Sequence, residues 1–140
     1  MKIRDIMTPD VVLVNPNTAV RNVAIRMRDE DVGALPVGEN DRLAGMVTDR
    51  DVVVRGVAEN QSPSDCTVKD VMSEGVYYCF DDEEAERAAD LMTEHKVRRL
   101  PVVNRDKRLV GIVALADLAQ AGISEFAIGE VSEPTPQARL

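Results

Sequence analysis

Residues 45–51 read GMVTDRD and residues 111–117 read GIVALAD. Both stretches start on glycine, pass through an apolar pair and end on aspartate, at Asp51 and Asp117. Where the first has Thr48, the second has Ala114. These phrases belong to a longer repetition. Asp5 and Asp70, Met7 and Met72, Ala24 and Ala89, Met27 and Met92, and Val32 and Val97 all stand 65 residues apart. LPV at 35–37 returns at 100–102, and one inserted residue in the next loop makes the offset 66 from Gly45 to Gly111. Self-similarity at a fixed offset marks a duplicated structural unit. Two copies are too few for a solenoid, so the halves are expected to pack on each other. The expected boundaries are a first repeat at 1–59, a linker at 60–68, a second repeat at 69–128 and a mobile tail at 129–140. The tail sequence, GEVSEPTPQARL, has two prolines and no apolar period.

Each copy has one internal grammar. Val11-Val12-Leu13-Val14 is a β-branched run that ends at the turn signal Asn15-Pro16-Asn17. Val20, Val23, Ala24 and Met27 then mark one face of a helix, for which Asn17 or Thr18 is a capping candidate. The second copy repeats the stripe with Ala85, Ala88, Ala89 and Met92, preceded by the capping candidates Asp81 and Asp82. These stripes are expected to be core. A strand at 34–37, a polar turn at 39–41 and a strand at 43–47 follow. A second helix is expected over 49–58, with Val53 and Val57 four apart. The unit is strand–helix–strand–strand–helix, an α/β pattern.

Composition excludes several classes. Among 140 residues, 25 are acidic and 17 basic, a net charge of −8 with no basic stripe for phosphodiesters, so nucleic acid is not an expected partner. No apolar run is long enough to span a membrane, and the charged start MKIRDIMTPD does not read as a signal peptide. Cys66 and Cys79 have no metal-ligand spacing and suit a reducing cytoplasm as buried free thiols. There is one histidine, and neither a P-loop nor a zinc-protease or serine-hydrolase motif occurs. No catalytic or metal-binding residue is therefore expected.

A duplicated β-α-β-β-α unit with DIMT and DVMS openings, LPV before a polar turn and a glycine-to-aspartate phrase resembles the CBS (cystathionine-β-synthase) domain. The tandem arrangement is similar to that called a Bateman module, and the resemblance spans roughly residues 3–122, in the manner of small stand-alone bacterial pairs. It implies two repeats packed sheet to sheet with pseudo-twofold symmetry and two clefts that take adenine nucleotides or related adenosyl molecules. It also implies a regulatory homodimer acting on an unknown downstream protein, assembled through the second helices around Val53–Val57 and Leu118–Ile123. No obligatory cofactor follows. AMP is the first candidate ligand, with ADP, ATP, NAD and S-adenosylmethionine as alternatives.

The resemblance makes Asp51 and Asp117 ribose-binding positions. An ionised carboxylate only accepts hydrogen bonds, which suits a vicinal diol. Asp is equally at home in the first turn of a helix, and the two roles are compatible. Thr48 offers a hydroxyl to a ribose or phosphate oxygen, or else is simply a β-branched strand residue. Its loss at Ala114 removes about 1 kcal/mol of hydrogen bonding. In the second copy, Arg98 and Arg99 occupy positions that contact phosphates in nucleotide-binding members, as guanidinium forks suit. A solvated cationic stretch near a helix end is the alternative, and it is also the reading for His95 and Lys96. The family pattern adds Ser73, Val76 and Val97 to the Asp51 cleft and Thr8, Val12 and Val32 to the Asp117 cleft. Tyr77 or Tyr78 joins the first, since strand alternation lets only one face it. Arg50 and Arg55 lie further along the second helix, where a solvated face is the plainer reading and Arg50 has a phosphate as its alternative.

Overall fold

The fold was read from a computed structural model that describes residues 1–59 and 62–123. The expected tail, and Asn60 and Gln61 of the expected linker, lie outside those residues. The elements are β1 (Thr8–Pro9), α1 (Val20–Glu30), β2 (Ala34–Glu39), β3 (Arg42–Thr48), α2 (Asp49–Asp51), α3 (Val68–Val71), β4 (Cys79–Phe80), α4 (Ala85–His95), β5 (Arg99–Val103), β6 (Leu109–Ala114) and α5 (Leu115–Gln120). A short 3₁₀ turn covers Ile3–Asp5, and α2 runs straight into a π-helical stretch, Val52–Val57.

Two compact units emerge, and their edges fall inside the sequence repeats. One unit is Val12–Val76; the other joins Met1–Val11 to Tyr77 and the residues after it. In the 12–76 unit, β2 and β3 form an antiparallel hairpin with Ala34 opposite Thr48 and Val37 opposite Gly45. Asn40 and Asp41, both at positive φ, make the tight turn between them, where Asn and Asp tolerate the left-handed conformation best. Val14 bridges to Val37 on one side of the hairpin and Ser73 to Met46 on the other. The other unit repeats this as a four-stranded sheet in the order β1-β6-β5-β4. Cys79 stands where Val14 does, and Thr8 where Ser73 does. In each unit, therefore, the segment beside the glycine-to-aspartate strand comes from the opening of the other sequence copy.

The helix stripes are core, as expected, except for Ala24, which is half-buried. Val20, Val23 and Met27 are buried in one unit and Ala85, Ala88, Ala89 and Met92 in the other. Cys66 and Cys79 are buried free thiols. Burial pushes both up, Cys79 to about 12, so neither is a thiolate near neutrality.

Three expectations need correction. The strand at 11–14 shrinks to Val14, whose N–H and carbonyl bond Pro36 and Gly38, while Val12 stands exposed. None of the four capping candidates caps its helix. α1 begins after Ala19, with Val20 and Arg21 donating their N–H groups to the carbonyls of Cys66 and Pro63. α4 begins after Glu84, with Ala85 N–H donating to the Met1 carbonyl. Backbone carbonyls from remote segments thus satisfy helix starts that Asn, Thr or Asp would otherwise serve. Asp82 instead makes an ion pair with Arg105. Last, the second helix is not α-helical beyond Asp51. It widens to π geometry, buries Gly56 and leaves Val53, Val54 and Val57 exposed.

Candidate functional site

The two phrases end at equivalent joints between a strand and a helix. In the first, Thr48 closes β3 with an extended backbone, φ −115° and ψ 162°. Its Oγ1 accepts from the Asp51 N–H at 3.0 Å, and Asp51 Oδ2 accepts from the Thr48 N–H at 3.0 Å. Two otherwise unpaired donors are satisfied reciprocally in this way. Asp49 N–H donates to the Gly33 carbonyl at 2.9 Å, so the turn is pinned from both sides. The Asp51 carboxylate is half-buried, and its Oδ1 takes no hydrogen bond among the described residues. One oxygen fixes the carboxylate; the other keeps its lone pairs for a donor.

In the second joint, Ala114 has φ −115° and ψ 161°, the same backbone as Thr48. Its N–H donates to Asp117 Oδ2 at 2.7 Å, and Asp117 Oδ1 is likewise without a hydrogen bond among the described residues. A methyl group cannot accept, so the return bond to the Asp117 N–H is missing. Leu115 N–H donates to the Arg98 carbonyl at 2.9 Å, as Asp49 does to Gly33.

The glycines that open the phrases have a structural cause that sequence spacing did not supply. A Cβ on Gly45 would lie 2.5 Å from the Ser73 carbonyl oxygen, and one on Gly111 would lie 2.6 Å from that of Thr8. Each glycine makes room for the edge segment that brings Ser73 or Thr8 alongside its joint. Ser73 is fixed by reciprocal backbone bonds with Met46, 2.9 and 3.1 Å long.

The 12–76 unit thus brings together Thr48, Asp51 and Ser73, and it also contains Val12, Val32 and Val76. The other unit brings together Thr8, Arg98, Arg99, Ala114 and Asp117, and it also contains Tyr77 and Val97. Arg99 pairs with Ala114 across β5 and β6, which puts a half-buried arginine opposite the last residue of β6. Neither Tyr77 nor Tyr78 lies in a strand, so the alternation argument does not apply. Tyr77 stacks on His95 with ring centroids 3.5 Å apart and planes 9° apart, while Tyr78 meets Phe80 edge-on. His95 is therefore a ring partner rather than a solvated helix end.

Among the described residues no three His, Cys, Asp or Glu side chains are placed to hold a metal ion. No helix there is long and apolar enough to cross a membrane.

Comparison with known proteins places these features in a family. The CBS domain model matches twice, over residues 3–56 and 68–124. Hypoxic response protein 1 of Mycobacterium tuberculosis is 41% identical over 118 residues, 84% of this chain and 82% of that protein. A CBS domain-containing protein of Bacillus subtilis is 39% identical over 127 residues, 91% of this chain and 89% of that one. Among solved structures, Hypoxic Response Protein I with two coordinated zinc ions superposes with a TM-score of 0.78 at 39% identity, covering 86% of this chain and 98% of the other. CBSX2 in complex with AMP gives 0.75 at 32%, covering 86% and 95%.

Proposed function

The chain belongs to the CBS domain family, and on that premise we propose that it is a regulatory module that binds an adenosyl ligand rather than an enzyme. The observation that carries this reading is the Asp51 joint. A carboxylate held by the Thr48 N–H through Oδ2 leaves Oδ1 without a hydrogen bond among the described residues, ready to accept from a ribose diol. The Thr48 hydroxyl, committed as an acceptor to Asp51 N–H, still has its own proton to donate to a ribose or phosphate oxygen. Ser73 and Val76 share the unit and complete the first site on this reading. In the second site Asp117 supplies the carboxylate and Arg98 and Arg99 the phosphate contacts. AMP is the first ligand to test, because a structural relative at 32% identity was solved with it. ADP, ATP, NAD and S-adenosylmethionine follow.

The proposal includes a cytoplasmic homodimer. The exposed Val53, Val54 and Val57 support assembly through the stretch after Asp51. Leu118 is fully buried within its own unit, so the matching helix offers Ala116, Ala119 and Gln120 instead.

Thermal shift with the five ligands on wild type, Asp51→Ala and Asp117→Ala tests the binding reading. A ligand at 100 times its Kd stabilises by about 2.7 kcal/mol, which raises Tm by roughly 5–11 °C in a chain of this size. A shift abolished by one substitution identifies the working site. A flat response in all three proteins sinks the reading and favours the second one, a partner-binding scaffold with vestigial sites, for which Ala114 is the specific pointer.

A further inference from the structure

Arg55 has no role in the reading above, and an arginine on an exposed stretch ordinarily needs none. Its geometry is unusual for such a residue. Arg55 Nη1 donates to two successive carbonyls, Val71 at 3.1 Å and Met72 at 3.3 Å. These close the C-terminal end of α3, where a cation is favoured by unsatisfied carbonyls and by the helix dipole. The next residue is Ser73, locked to Met46 by paired backbone bonds. Two residues along β3 from Met46 is Thr48, which closes the reciprocal pair with Asp51, and Asp51 stands one helical turn before Arg55. The bonds form a closed ring: Asp51, Arg55, Val71 and Met72, Ser73, Met46, Thr48 and back to Asp51.

Packing follows the same circuit. Gly56, beside Arg55, is buried, and a Cβ there would meet Val20 at 3.4 Å and Val71 at 3.8 Å. The π-helical stretch therefore sits directly on the helix whose end Arg55 holds. Among the described residues, the other unit shows no such closure. The offset of 66 puts Ala121 where Arg55 would be, and a methyl group cannot reach a carbonyl as a donor.

We infer that Arg55 is a positioning residue for the Asp51 site, holding segment 71–73 against β3 so that Ser73 and the Thr48–Asp51 pair keep a fixed spacing. The inference rests on the proposed adenosyl-binding reading for its effect on affinity, but the positioning itself is measurable without ligand. It also ties the site to the stretch that bears the exposed valines, since Arg55 lies between Val54 and Val57.

The experiment compares Arg55→Ala and Arg55→Lys in the Asp117→Ala background, so that one site reports. AMP titration calorimetry is paired with amide hydrogen exchange of the ligand-free proteins at Met46 and Ser73, with Leu115 in the other unit as control. Loss of a charge-assisted bond at a partly exposed position should weaken AMP binding by roughly threefold to tenfold. Exchange at Met46 and Ser73 should accelerate by a similar factor while Leu115 is unchanged. Arg55→Lys, which keeps one donor and the charge, should restore most of both. Unchanged exchange at Met46 and Ser73 overturns the inference, even if affinity falls, because Arg55 would then act on the ligand directly. Equal acceleration at Leu115 also overturns it, as a global loss of stability. If AMP binds with unchanged affinity while exchange accelerates, Arg55 positions nothing the ligand uses, and the inference fails. Absence of binding by every variant, the Asp117→Ala parent and wild type included, counts against the adenosyl reading instead, and the exchange arm then decides on Arg55 alone.

Discussion

The joint at Asp51 and the joint at Asp117 share a backbone and differ in what closes them. Both have an aspartate whose Oδ2 takes the N–H of the strand's last residue. Both begin on a glycine that leaves room for an edge segment. Only the first has a hydroxyl returning the bond, and among the described residues the first alone has a guanidinium holding the segment beside it. What the two copies share is what the fold requires at that place; what they do not share is open to specialisation. The second joint has arginines at the start of the neighbouring strand and just before it instead, at 99 and 98, where the first copy has Ala34 and Gly33.

The largest expected effect breaks the shared part. Gly45→Ala and Gly111→Ala each drive a methyl group against a backbone carbonyl, which cannot step aside as a flexible side chain does. Each should cost on the order of 2–3 kcal/mol, a loss of roughly 4–12 °C in Tm. Thermal unfolding of both variants at wild-type temperature would show that the edge segments do not sit where Ser73 and Thr8 are placed.

A smaller effect sharpens the difference. Thr48→Ala removes the acceptor for the Asp51 N–H and should destabilise by about 1 kcal/mol. Ala114→Thr should do the reverse by a similar amount, since its φ and ψ match those of Thr48 within a degree. Denaturant midpoints measure both without a ligand. If Ala114→Thr gains nothing while Thr48→Ala loses, the hydroxyl matters for something other than closing the turn, and the identity of the two joints is only apparent.

Much of this fold is legible in the sequence because it is written in periodicity. The stripe Val20, Val23, Met27 and its copy Ala85, Ala88, Ala89, Met92 follow a helical spacing that burial demands, and they are core. Both hairpins follow from short β-branched runs around polar turns. The helix caps were not legible, because the acceptors are carbonyls of Cys66, Pro63 and Met1, and a carbonyl is the same in every residue. The exchanged edge segments cannot be read from residue chemistry, since Thr8 and Ser73 sit at matching places in both copies whichever unit they join; only the family resemblance pairs Ser73 with Asp51 and Thr8 with Asp117. At the joints, the repeated phrase makes legible that Asp51 and Asp117 lie where a strand hands over to a helix. The place of Arg55 was not legible, since its partners are again backbone carbonyls, sixteen and seventeen residues away.

The smallest expected effect compares how each unit anchors a surface carboxylate. In the 12–76 unit, bonds from the Thr67 N–H and hydroxyl hold Asp70 below the usual carboxylate range. In the other unit, Arg105 does the same for Asp82, through bonds as short as 2.8 Å, while lying over the Phe80 ring. A carboxyl whose folded pKa is depressed stabilises the fold fully above its unfolded value of about 3.9, and that contribution is lost as pH falls through the folded value. Both contributions should therefore be intact at pH 7 and fade together below about pH 4. Salt separates them. The Asp82–Arg105 pair is exposed and screened as ionic strength rises, whereas the Asp70 bonds come from neutral donors and are not an ion pair. Unfolding midpoints of Asp82→Asn and Asp70→Asn at pH 7 should converge on wild type in high salt for the first and stay displaced for the second. Equal salt responses would mean that the charge of Arg105 adds nothing to its hold on Asp82 beyond what neutral donors give Asp70.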